Sequence, residues 1–276
     1  DESYAYFSGA WGRVNFGEED GAAYLLQVAA PSADSNVDGL RNYVEGVNLT
    51  ELATITTPTT PDLDYDQEVS AKDSKITYIT PVFSGFQAGI SYTPELDGTV
   101  EDKDGPSIDG DGADQFGDVI DLAVRYEGTF EEVGFTIGAG YTTADLEDNA
   151  GNTAGLDDRQ AWNIGLDIDF GPIGFGVIYK EDDFGDNPAA TAADEEIWVI
   201  GADYTTGPYK LGASYFNGDN WAGVADEEVE RYAAGVTYTY GPGMTFRGSI
   251  NFVEVDDGNG ADADATTVLL GTQINF

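Results

Sequence analysis

From Trp162 to Phe170 the chain alternates strictly. Trp162, Ile164, Leu166, Ile168 and Phe170 are bulky and apolar, and Asn163, Gly165, Asp167 and Asp169 between them are small or polar. A helix would scatter those aspartates around its surface, whereas a β-strand sets them all on one face. The pattern recurs. Tyr232, Ala234, Val236, Tyr238 and Tyr240 alternate with Arg231, Ala233, Gly235, Thr237 and Thr239, and Phe246, Gly248, Ile250 and Phe252 alternate with Arg247, Ser249 and Asn251. In the last such segment Val268, Leu270, Thr272, Ile274 and Phe276 face one way, and Leu269 is the single apolar residue on the opposite phase. Segments of this kind predict thirteen strands, beginning near Glu2, Arg13, Lys75, Phe86, Val119, Phe135, Arg159, Ile173, Glu196, Tyr209, Val229, Met244 and Thr266.

Connections between these segments alternate in length. Tight links at Ala10-Trp11-Gly12, Ser84-Gly85, Gly171-Pro172, Gly207-Pro208 and Gly241-Pro242-Gly243 take turns with long acidic stretches such as Glu95 to Gly117 and Glu181 to Glu195. Short turns on one rim and long loops on the other describe an antiparallel barrel that spans a membrane. A Greek-key sandwich has no reason to keep that rhythm.

Basic residues test which face meets lipid, because Arg or Lys at the bilayer midplane costs about 2–4 kcal/mol. Arg13, Lys75, Arg125, Arg159, Lys180, Lys210, Arg231 and Arg247 fall in predicted strands, all on the phase opposite the bulky residues; Arg41, Lys72 and Lys103 fall in loops. A soluble barrel filled by the bulky face would give the same alternation. About 8 strands suffice for such a filled interior, however, and thirteen would enclose a wide polar lumen. Aromatics near strand ends, among them Tyr92, Tyr126, Tyr141, Phe170, Tyr179, Tyr204, Tyr215, Tyr240 and Phe276, suit an interfacial girdle. The alternative reading is a soluble secreted acidic β-protein that binds a ligand or carbohydrate.

Composition narrows the chemistry. With 11 Lys and Arg against 52 Asp and Glu the net charge is −41 over 276 residues, which argues against nucleic acid as a partner. No His is present, so a Ser-His-Asp triad and imidazole metal sites are excluded, and the absence of Cys removes disulfides and thiolate sites. Asp109-Gly110-Asp111-Gly112-Ala113-Asp114 offers oxygen ligands of the Ca²⁺ type, but Ala113 and Ile120 stand where an EF-hand needs ligands. No cofactor is expected, and loose surface binding of Ca²⁺ is the one metal role left to that segment.

Three stretches resemble the general diffusion porins of the Gram-negative outer membrane, specifically their alphaproteobacterial branch. They are Tyr4-Ala5-Tyr6-Phe7-Ser8-Gly9-Ala10-Trp11-Gly12-Arg13-Val14-Asn15-Phe16-Gly17, the hairpin from Lys75-Ile76-Thr77-Tyr78-Ile79-Thr80-Pro81 through Val82-Phe83-Ser84-Gly85-Phe86-Gln87-Ala88-Gly89, and the terminal Phe276. The likeness is strong to about Pro94 and continues beyond it as strand rhythm. It implies an all-β transmembrane antiparallel barrel of 16 strands and assembly as a homotrimer in the outer-membrane bilayer. The opening hairpin then corresponds to strands four and five of the family, so residues 1–276 are expected to form a single barrel domain lacking its first three strands, as an incomplete sequence would.

By the same resemblance residues 18–74, which show no strand pattern, are the constriction loop that folds into the barrel. Glu18, Glu19 and Asp20 precede an apolar stretch from Gly21 to Ala30, and carboxylates at a helix amino end favour a short helix there, with Pro31 ending it. Asp34, Asp38, Glu45, Glu51, Asp62, Asp64, Asp66 and Glu68 follow. These acids are expected to form a carboxylate ledge facing the wall residues Arg13, Lys75, Arg125, Arg231 and Arg247. The function implied is passive diffusion of small hydrophilic solutes and ions without a catalytic step, with a weak preference for cations.

Overall fold

The computed structural model describes residues 3–32, 63–96, 116–146, 157–185 and 193–275. Among these residues thirteen strands form one antiparallel sheet in chain order: β1 Ser3–Gly9, β2 Gly12–Glu18, β3 Ser74–Ile79, β4 Phe86–Glu95, β5 Phe116–Phe130, β6 Val133–Leu146, β7 Arg159–Phe170, β8 Ile173–Asp182, β9 Glu195–Thr206, β10 Tyr209–Asp219, β11 Glu228–Gly241, β12 Met244–Asp256 and β13 Asp262–Ile274. Each strand pairs with its neighbours in sequence, and among the described residues no ladder joins β13 to β1. A single helical turn, α1 Ala22–Leu25, follows β2.

Every strand begins within four residues of the position the alternation predicts. The largest difference is at β13, which starts at Asp262 rather than Thr266. Asp262 and Asp264 occupy the phase that carries bulky apolar residues further along, so the alternation loses its contrast there. The predicted turns fall where the strands reverse. Gly171 and Gly207 take φ of +58° and +55°, a left-handed conformation that glycine adopts without strain, and each is followed by proline.

Side chains separate by phase. Ile164, Val124 and Leu270 on the outer face are 46%, 55% and 86% exposed, while Asn15, Thr77, Ser91, Asp121, Thr142 and Asn163 on the inner face are buried. All eight strand-borne basic residues lie on the inner phase, as expected. The outer face carries two aromatic belts. Near the tight turns Phe86 and Tyr126 lie 4.4 Å apart and Tyr209 and Tyr238 5.0 Å apart. Near the long loops Trp162 and Tyr179, Tyr179 and Trp198, and Tyr215 and Tyr232 lie 4.9, 4.6 and 4.9 Å apart. An apolar band bounded by two rows of amphipathic rings is what a strand wall presents to a bilayer.

A candidate constriction loop on the inner wall

The described legs of the β2–β3 connection, residues 19–32 and 63–73, lie against the concave face of the sheet. The outgoing leg crosses strand after strand because small residues leave room for its backbone. A Cβ at Gly89 of β4 would come within 3.0 Å of the Ala22 Cβ, at Gly140 of β6 within 3.2 Å of the Ala23 Cβ, and at Gly138 within 2.8 Å of Val28 Cγ2. Further along, a Cβ at Gly165 would meet Val28 at 2.9 Å, and one at Gly176 or Gly201 would meet Pro31 at 2.6 or 2.4 Å. These inward glycines form a groove from β4 to β9 in which residues 22–31 sit. Only α1 is helical within the stretch from Gly21 to Ala30; the turn closes at Leu26, well before Pro31.

Buried polar side chains tie the two legs to each other and to the wall. Gln27 Nε2 donates to the Tyr65 carbonyl at 2.7 Å, the Gln67 amide donates to Gln27 Oε1 at 2.8 Å, and the Ala30 amide donates to the Tyr65 hydroxyl at 3.0 Å. Gln67 Nε2 donates to Thr142 Oγ1 at 2.8 Å and to the Ala161 carbonyl at 3.0 Å, and Asn163 Nδ2 donates back to Gln67 Oε1. Asp121 accepts from Ser70 at 3.0 Å and from Thr142 at 2.6 Å. Buried groups of this kind incur their full desolvation cost if a partner is removed, so the network holds the described legs in one position.

Lys75, expected on the open wall, is instead buried at the loop's stem. Its ammonium donates to the carbonyls of Glu19 at 2.5 Å, Ser70 at 3.2 Å, Ala71 at 2.6 Å and Asp73 at 2.8 Å, joining the departing and returning chain. Three donor protons around one charge suit convergent carbonyls, and the inward phase of β3 aims the side chain at them. Arg231 differs from expectation in the same way. It is 2% exposed, its guanidinium lies 5.4 Å from the Phe216 ring centroid, and it reaches the Leu63 carbonyl at 3.5 Å.

The remaining expected site residues divide. Glu18 ends β2 on the outer phase shared with Phe16, so it is not part of an inner ledge. Glu19 is buried with its carboxylate 3.6 Å from the Arg13 guanidinium. Asp20 and Asp66 are also buried, and Asp64 is half-buried. Arg125 pairs with Glu127 at 2.6 Å and Arg247 donates to Gln273. Asp34, Asp38, Glu45, Asp62 and the Asp109 to Asp114 segment lie outside the described residues.

A family profile described as Gram-negative porin matches residues 1–258. The chain belongs to the Gram-negative porins. The porin is accordingly an outer-membrane protein, and its family is one of solute channels; the match does not resolve an alphaproteobacterial branch. Among solved structures it resembles outer-membrane OmpT of Vibrio cholerae with a TM-score of 0.55 at 17% identity, over 98% of this chain and 79% of that one. A trimer form of the same Vibrio protein gives a TM-score of 0.55 at 18% identity, over 99% and 80% of the two chains. OprB of Pseudomonas putida gives 0.62 at 11% identity, over 98% and 71%. At these identities the likeness concerns the fold. No curated protein matches the chain.

Sequence reasoning about the porin missed Gln27, Gln67, Asp121, Thr142 and Asn163. Two signals pointed to them: Gln27 set between apolar neighbours and Gln67 between acids, and polar groups in mid-strand on the inner phase that also carries glycine.

Proposed function

We propose that this porin is a water-filled channel for passive diffusion of small hydrophilic solutes and ions, working without a catalytic step, with the β2–β3 loop at its narrowest point. The carrying observation is the seating of residues 22–31 in the glycine groove, which holds the outgoing leg of a long acidic connection against the sheet's inner face. A loop laid along the wall narrows a lumen without filling it. The reading includes a homotrimer, which the trimer form of Vibrio OmpT supports by analogy of fold.

The channel prefers cations weakly. Residues 18–74 carry many more acids than bases, and two of the basic wall residues, Lys75 and Arg231, are buried by the loop rather than facing the lumen. Charges farther away than a Debye length of about 8 Å are screened at physiological ionic strength, whereas acids at a constriction of similar width act together on a passing ion. Reversal potentials across a KCl gradient in a planar bilayer check this. A severalfold preference for K⁺ that fades at high salt is expected, and anion preference at low salt would sink it.

A further inference from the structure

Between α1 and the inner wall of β1–β4 lies a niche of about 470 Å³. Ligand sites commonly measure about 300–1,000 Å³, so this one suits a solute of one sugar ring. One side is apolar, made by Leu25, Leu26 and Ile79. The other is polar and organised around Arg13. The guanidinium donates to Asn15 Oδ1 at 2.6 Å and to the Tyr4 hydroxyl at 3.3 Å, and it lies 4.4 Å from the centroid of the Tyr6 ring. It keeps 39% of its side-chain surface exposed while standing 3.6 Å from the Glu19 carboxylate. Gln87 completes the polar side, with its Nε2 donating to the Thr80 carbonyl at 3.2 Å.

We infer that this niche is a subsite for a neutral polyhydroxylated solute of about one ring. The inference rests on the channel reading only for the route by which the solute arrives. Charge decides the class. Arg13 and Glu19 offset each other, so a charged solute meets one attractive and one repulsive group almost together. A pair of neighbouring hydroxyls meets no such conflict, because each can accept from the guanidinium and donate to the carboxylate. The apolar wall of Leu25, Leu26 and Ile79 takes the C–H side of a sugar ring, and the Tyr4 ring closes the niche beside Arg13. Gln87 Oε1 adds an acceptor for a further hydroxyl.

The test uses saturation-transfer NMR on the full chain folded in detergent, with glucose, gluconate and glucosamine as probes. Saturation should reach the ring protons of glucose with a dissociation constant in the millimolar range and should be weaker by severalfold for the two charged probes. Tyr4→Ala and Gln87→Ala, at exposed or half-buried positions that line the niche, should each weaken glucose about three- to tenfold, the effect of one lost ring contact or hydrogen bond. Absence of transfer to glucose, preference for either charged probe, or full retention in both variants would overturn the inference. KCl conductance of the same preparation separates the two readings. Conduction without transfer removes the niche and leaves the channel, and transfer without conduction does the reverse.

Discussion

The inner faces of β4–β7 and of β9–β12 touch the same loop, yet their side chains differ in kind. Along β4–β7 the wall beneath the loop is mostly glycine, alanine and polar residues, and contact is made by loop side chains set against inward glycines and Ala123 or through hydrogen bonds of Asp121, Thr142 and Asn163. Along β9–β12 it is apolar: Ile197, Val199, Phe216, Val229, Val253 and Val255 are buried with Ala30, Leu63 and Tyr65 of the loop packed on them. The first wall sets how close the loop can lie and in what register. The second supplies most of the buried apolar area, which stabilises without direction. A loop held by only the second would be stable but imprecise.

Phe216→Ala should have the largest effect on stability. The ring is fully buried against Trp221 with centroids 5.6 Å apart, and removing it should cost about 3–5 kcal/mol in urea unfolding in detergent. Open-channel conductance should change little, since the polar wall still fixes the loop. Gly138→Val sharpens the contrast from the other side. The new side chain would collide with Val28 and the Leu26 carbonyl, costing about 1–3 kcal/mol, but it should lift the loop toward the lumen and lower single-channel conductance. Unchanged conductance would mean that the groove does not position the loop. Thr142→Val is the smallest change, removing one hydroxyl between Asp121 and Gln67. It should cost about 1 kcal/mol and raise current noise in recordings more than it shifts the mean.

Strand order, phase and the turn rim were legible because they depend on a period of two that every strand repeats. Trp162 to Phe170 shows this most plainly, and its outer and inner residues fall as the alternation predicts. β9 shows the limit. Ile197, Val199, Trp198 and Ile200 are apolar on both phases, and nothing local says that the inner pair is covered by a loop from far earlier in the chain. The site was legible as a segment, the acidic stretch between β2 and β3, and in Arg13 and Glu19, but not in the contacts of Gln27, Gln67 and Asp121.

By itself the sequence determined an antiparallel wall with an apolar outer face, a basic and polar inner face, and long acidic connections of which the β2–β3 one is the longest, because alternation and turn chemistry act between near neighbours. Only the tertiary structure decided which inner residues face water. Lys75 and Arg231 carry the same phase signal as Arg13, yet the first closes the loop's stem on four carbonyls and the second lies under Leu63, while Arg13 stays partly exposed beside Glu19. That difference comes from contacts between residues as distant as Leu63 and Arg231, which burial and hydrogen-bond satisfaction select and no periodicity records.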